Sequence, residues 1–192
     1  MIKLLNAILL IGLFIWNPYP LQLLELKSYD YLIMSQELVQ NENILLVELD
    51  EEIVEAYGGY PLPRDIYAQL INRTQGIPGI TVLMPDADIR GKEYDNTFAY
   101  AMSIKPTVLA QAASTQSDKI SLHVGTSQLG EDPLPWLYEY PGILRTKPIL
   151  QTTAKGLGLI TATPEIDGVT RRIPLVVNVQ SKLYPTFALE LL

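Results

Sequence analysis

The sequence predicts an α/β fold: a mixed sheet with a parallel β-α-β-α-β front half and an antiparallel C-terminal hairpin, preceded by an N-terminal membrane helix. Three observations lead there. Leu4 to Leu24 contains no charged residue. Between residues 44 and 112, short apolar runs alternate with helical patterns, as parallel strands joined by crossover helices do. After residue 156 the helical pattern gives way to short strand-like segments around an Asp-Gly turn signal.

The apolar run is densest from Ala7 to Trp16. A spanning helix needs about 20 residues, so the expected anchor, residues 1–24, places Asn17, Pro18 and Pro20 at the far interface. Trp16 and Tyr19 suit that depth, and Lys3 with the terminal amine favours a cytoplasmic N-terminus. A cleaved signal peptide is the rival reading, but no small-x-small site follows Trp16. Leu21 to Leu38 has the spacing of a membrane-proximal helix, within a linker over 25–42. The domain proper is expected over 43–192.

Ile44–Leu49 (ILLVEL) reads as a buried strand ending at Asp50. The Gly58–Pro63 stretch is a loop. Arg64–Gln75 reads as a helix stopped by Gly76 and Pro78. Ile80–Met84 is the second strand, Tyr94–Ile104 the next helix and Thr107–Ala112 the third strand, with the three strands adjacent and parallel. Ile120–Val124 and Gly156–Ala162 are further strands. Asp167-Gly168 is expected to turn the chain into a strand over Thr170–Val179 that pairs antiparallel with its predecessor. Tyr184–Leu192 reads as an apolar helix.

Composition excludes several classes. The chain is 192 residues, 48% hydrophobic and 18% charged, so it can bury a core. A net charge of -7 lacks the basic face that nucleic acid requires. With no cysteine there is no disulfide, thiol catalysis or thiolate zinc site, and His123, the single histidine, excludes multi-histidine metal sites. His123 lies in SLHVG and reads as a packed strand residue. No G-x-S-x-G elbow occurs. GLGL at Gly156 lacks the third glycine of a dinucleotide loop and does not open a helix.

Three blocks give the chain a resemblance. The first is VELDEE (Val47–Glu52) with YPLPRDIYAQLI (Tyr60–Ile71). The second is VLMPDADIRGKEYDNTFAYAM (Val82–Met102). The third is GLGLITATPEIDGVTRRIPLVV (Gly156–Val177) with YPTFALELL (Tyr184–Leu192). With YDYL (Tyr29–Leu32), they make the sequence similar to the CHASE family, type two: cyclase/histidine-kinase-associated sensory extracellular domains. Met84-Pro85 departs from the aromatic-rich strand end of that pattern. The resemblance implies a domain in the periplasm or extracellular space on the inner (cytoplasmic) membrane, in a receptor whose later membrane helices lead to a cytoplasmic cyclase or kinase. The sequence stops at Leu192, where those helices are expected, so the expectation is a fragment or a protein whose output is absent.

Candidate site residues follow from charge and placement. Asp50 and Asp86 end predicted strands, where α/β sheets bind ligands, and Asp88 and Asp95 lie on the adjoining loop. Together they suit a divalent cation or a cationic ligand; alternatively, Asp50 and Asp95 cap helices. Arg64 opens a helix, where the dipole disfavours a cation, which calls for an acid or ligand nearby. Arg171 and Arg172 are consecutive on a predicted strand and so face opposite ways. The inward one requires a carboxylate, Asp50 or Asp86 above all, with Asp167 a third candidate; anion binding by these arginines is the alternative. No cofactor, metal or catalytic residue is expected. The function expected is a sensory domain passing ligand, partner or dimer-state information through membrane helices. A hydrolase using the acidic crevice, or a structural dimerisation module, is the alternative. Expected partners are membrane lipid, a second copy through the anchor and the Leu21–Leu38 helix, and a small-molecule or protein ligand.

Overall fold

The computed structural model describes residues 11–37, 41–116 and 129–192. The chain divides into two compact units: Met1–Val47 with Pro164–Arg171, and Glu48–Thr163 with Arg172–Leu192.

In the first unit, residues 11–16 are helical and α1 spans Tyr19–Met34. Asn17 breaks the path with φ 40, and Pro18, which has no N–H to donate, precedes α1. The expected continuous span therefore divides at Asn17-Pro18. Among the described residues no helix is long and apolar enough to cross a membrane; residues 4–10 of the expected anchor lie outside the described residues. The membrane-proximal helix begins two residues earlier and ends four earlier than expected. None of its residues is buried.

The expected strand over 44–49 does not form. Residues 44–49 are unpaired, with Ile44 72%, Leu45 82% and Leu46 88% exposed. Apolar composition favours burial, but a strand also needs an edge to bond. Among the described residues the first unit, to which 44–47 belong, contains no strand.

The second unit holds the sheets. β1 (Gly79–Ile80), β2 (Val108–Ser114) and β5 (Gly156–Leu159) are parallel, with β2 in the middle. The far end of β2 pairs antiparallel with β4 (Gly142–Leu144). The second and third expected strands are thus neighbours and parallel, although the second is confined to Gly79–Ile80. Alternation along the strands sorts the rows. Ile80, Leu109 and Leu157 share one row and enter the main core with Tyr67 and Ile71 of α3 (Arg64–Arg73) and Phe98 and Met102 of α4 (Lys92–Ile104). The Tyr67 and Phe98 rings lie 5.9 Å apart. Burial raises the Tyr67 hydroxyl above its ordinary pKa, and that oxygen accepts the Leu62 N–H at 3.3 Å. α2 (Glu51–Ala56) and α5 (Pro148–Thr153) border this core through Ile53, Val54 and Ile149.

The neighbouring row, Gly79, Val108 and Gly156, belongs to the other alternation. Ala110 and Gly158 follow it. Here the sheet meets α6 (Phe187–Glu190). A Cβ on Gly158 would lie 2.3 Å from the Phe187 Cα. GLGL is therefore a strand whose glycines admit a helix backbone, not a phosphate loop.

The expected pairing at the C-terminus is corrected. Asp167-Gly168 does form a turn, in which Val169 N–H donates to Asp167 Oδ1 at 3.1 Å. Residues 170–175 are not a strand, and β6 is confined to Val176–Val179. β6 pairs antiparallel with β7 (Lys182–Pro185), not with Gly156–Ala162, and parallel with β3 (Glu139–Tyr140). The hairpin turn is Gln180-Ser181, both left-handed with φ 49 and 58, the geometry that matches strand twist in two-residue hairpins. The expected helix from Tyr184 begins only at Phe187 because Tyr184 and Pro185 are taken by β7. Ile143, Leu159, Val177, Val179 and Tyr184 form a second core. The expected strand over 120–124, with His123, lies outside the described residues.

Candidate functional site

The charged candidates separate into two clusters, one in each unit. In the second unit, Pro63 leads into α3 and Arg64 opens it, while the chain leaving β1 runs through 81–88 to the start of α4. This brings Arg64, Asp86, Asp88 and Asp95 together, as the sequence suggested. Arg64 is 3% exposed and Asp95 1%. Arg64 Nε stands 3.5 Å from Asp95 Oδ1, and Lys147 Nζ lies 2.8 Å from Asp95 Oδ2. Asp95 also accepts the Asp88 N–H at 3.3 Å. Asp86 contributes its carbonyl oxygen, which accepts from Arg64 Nη2 at 3.2 Å.

Asp88 caps the start of α3 from a distance, accepting the Arg64 N–H at 2.8 Å. It also accepts the Arg90 N–H at 2.9 Å. Burial pushes its carboxyl up in pKa. Hydrogen bonds from the Arg90 side chain and from the backbone N–H groups of Arg64 and Arg90 outweigh that and hold it below its ordinary value. Arg90 binds Asp65 as well and stacks 3.8 Å over the Tyr94 ring. Its guanidinium is held above its ordinary pKa, first by Asp88 and then by Asp65.

This arrangement decides the chemistry of the acids. Arg64, Arg90 and Lys147 face Asp65, Asp88 and Asp95, three cations against three carboxylates. A crevice that binds a cation needs uncompensated acid. Among the described residues no group of histidine, cysteine and acid side chains is arranged to hold a metal ion. Asp50 stands apart from this cluster as a helix cap, its Oδ1 accepting the Ile53 N–H at 2.8 Å, so the capping alternative holds for it. Asp95 sits inside the first turn of α4, whose preceding residue is Gly91, and serves as an ion-pair partner and not as a cap.

The second cluster is in the first unit. The Arg171 side chain is 5% exposed and takes three acids. It donates from Nε to Asp30 Oδ1 at 2.6 Å and from Nη2 to Asp30 Oδ2 at 2.8 Å, a bidentate fork. Nη1 and Nη2 reach Asp167 at 2.9 and 2.7 Å, and Glu165 lies at 3.3 Å. The guanidinium holds the Asp30 and Asp167 carboxyls below the usual carboxylate range, and both acids hold Arg171 above its own. One arginine of the pair is therefore enclosed and acid-bound, as expected. The partners are Asp30 and Asp167, not Asp50 or Asp86, because Arg171 packs in the first unit with α1, and Asp50 and Asp86 belong to the second. Arg172 is exposed and lines a cleft of the second unit.

Sequence reasoning missed Asp30, Asp65, Arg90 and Lys147. Asp30 stood within the quoted YDYL, and Arg90 within the quoted acidic loop. Lys147, just before Pro148, carried no signal.

No curated protein and no solved structure shows significant similarity to this chain. A family model of the CHASE2 domain matches residues 6–192. CHASE2 domains are extracellular sensory domains of signalling receptors. The match takes in the Arg64, Arg90 and Arg171 clusters together, and with it the chain belongs to the CHASE2 domain family.

Proposed function

We propose that the chain is the extracytoplasmic sensory part of a membrane-bound receptor. On this reading the apolar N-terminal run holds it at the inner (cytoplasmic) membrane, with the domain in the periplasm or extracellular space. It passes ligand, partner or dimer-state information to a cytoplasmic cyclase or kinase. The observation that carries the reading is the Arg171 fork on Asp30. It ties the loop Pro164–Arg171 to α1, the helix that follows the apolar N-terminal run. A sensor needs an element with two packings that a signal can bias. A charge-assisted, bidentate contact between one loop and one helix is such an element, because it is either made or lost. α1 itself, with no buried residue and with Tyr31 and Leu32 exposed, supplies the face for a second copy in a symmetric dimer. The charge-balanced Arg64 cluster supports the sensory reading over hydrolysis.

The test joins the chain, through an added membrane-spanning segment, to a cytoplasmic adenylate cyclase reporter. Arg171→Ala and Asp30→Asn are each compared with the native sequence at matched abundance. A shift of basal cyclic AMP in the same direction for both is expected. Identical output from all three proteins would refute the reading.

A further inference from the structure

Arg172 belongs to a cleft of about 320 Å³ that lies wholly within the second unit. That volume sits at the lower end of small-molecule sites. The walls include Tyr138, Tyr140, Thr161, Thr163 and Asn178. Asn178 is the informative one. It is 4% exposed, yet its Oδ1 accepts no hydrogen bond among the described residues. A buried acceptor left without a donor lowers stability, and Asn178 sits in the middle of β6 where an apolar residue would pack without that cost. The other groups are poised to donate. Thr161 Oγ1 accepts the Ala113 N–H at 2.6 Å, which leaves its own O–H for a further acceptor. Arg172 adds a fixed positive charge and a planar fork suited to carboxylate. Tyr138 and Tyr140 meet edge to face at 4.8 Å and present ring surface, while Ile173 and Val177 are apolar.

We infer that this cleft binds a small carboxylate that carries an apolar body and an O–H or N–H donor, as 2-hydroxy and 2-amino acids with apolar side chains do. The carboxylate takes Arg172 and the Thr161 hydroxyl, the donor satisfies Asn178 Oδ1, and the apolar body lies against the tyrosine rings. The inference rests on the sensory reading and gives it a ligand class. It also places the ligand one peptide bond from the signalling contact, since Arg172 lines the cleft and Arg171 holds Asp30.

The purified full chain is titrated with phenyllactate, 2-hydroxyisocaproate and L-phenylalanine, with phenylpropionate and inorganic phosphate as comparisons, and melting temperature and heat of binding are read. At least one of the first three raises Tm saturably, and phenylpropionate, which lacks the donor, binds at least about tenfold more weakly. Arg172→Gln, at the exposed rim, keeps the ligand-free Tm and loses the shift. Asn178→Leu loses the shift while its ligand-free Tm stays level or rises. No shift from any of the three acids overturns the inference. So does a phosphate shift equal to theirs, which marks a plain anion site. So too does binding that survives both substitutions. None of these results touches the reporter experiment on Arg171 and Asp30, so the ligand class and the sensory reading fail separately.

Discussion

Asp95→Ala should be among the most damaging single substitutions in the second unit. Asp95 is 1% exposed and holds Arg64 Nε at 3.5 Å and Lys147 Nζ at 2.8 Å. The two cations do not suffer equally when it goes. Lys147 has a side chain 21% exposed, so water can solvate the ammonium. Arg64, at 3%, keeps its charge in a nearly dry site. Removing one member of a buried pair costs about 3–5 kcal/mol, chiefly through the charge left behind. That is a large share of the roughly 5–15 kcal/mol that holds a typical domain together. At about 2–4 °C per kcal/mol for a chain of this size, the melting temperature should fall by roughly 10 °C. Lys147→Met should cost only about 1 kcal/mol, because it removes the partly hydrated partner. Far-UV circular dichroism during urea unfolding is the suitable assay, since Trp16 and Trp136 are exposed and report little of the core. The slope with urea should stay constant while the midpoint moves. Replacing both members, as Arg64→Met with Asp95→Leu, removes the stranded charge and should lose less than the two single changes added together. A loss below about 1 kcal/mol for Asp95→Ala, or strict additivity in the double variant, would refute the argument that a desolvated guanidinium sets the cost.

Three further outcomes are expected. Arg171→Ala should lower the melting temperature by several times as much as Arg172→Ala, because the first leaves Asp30, Asp167 and Glu165 facing one another and the second alters an exposed side chain; equal losses would contradict the assignment. The Asp30 and Asp167 carboxyls are depressed in the folded chain, so the stability they supply is complete above the unfolded carboxylate value near 3.9 and drains away as pH falls through the folded values. Asp167→Asn should flatten the acid limb of a stability–pH curve and leave its neutral limb parallel to the native one. Gly158→Ala should cost at least about 1–3 kcal/mol by overpacking, because the new Cβ would meet the Phe187 Cα at 2.3 Å and backbone cannot swing aside as a side chain can; a near-neutral urea midpoint would show that α6 is not docked there.

What was legible in the sequence was local, and what was not depended on partners. The helix starting at Arg64 and the strand after Lys105 were readable because proline, glycine and apolar period mark them within a few residues. Ile44–Leu49 had the composition of a buried strand, but pairing is a property of two segments, and no composition announces that a run lacks an edge to join. The hairpin was misplaced for a related reason. Asp-Gly is the stronger turn signal, yet Gln180-Ser181 takes the two left-handed positions without a glycine or an asparagine. The arginine pair carries the lesson furthest. Strand alternation predicted one enclosed and one exposed side chain, and that asymmetry exists, although residues 170–175 are not a strand. Its cause is chemical: Asp167, four residues back, and Asp30, 141 residues back, converge on one guanidinium. Two motifs that looked separate, YDYL and DGVTRR, are thus the two halves of one contact. The carboxylate in the first has its reason in the second, and no reading of either alone would have supplied it.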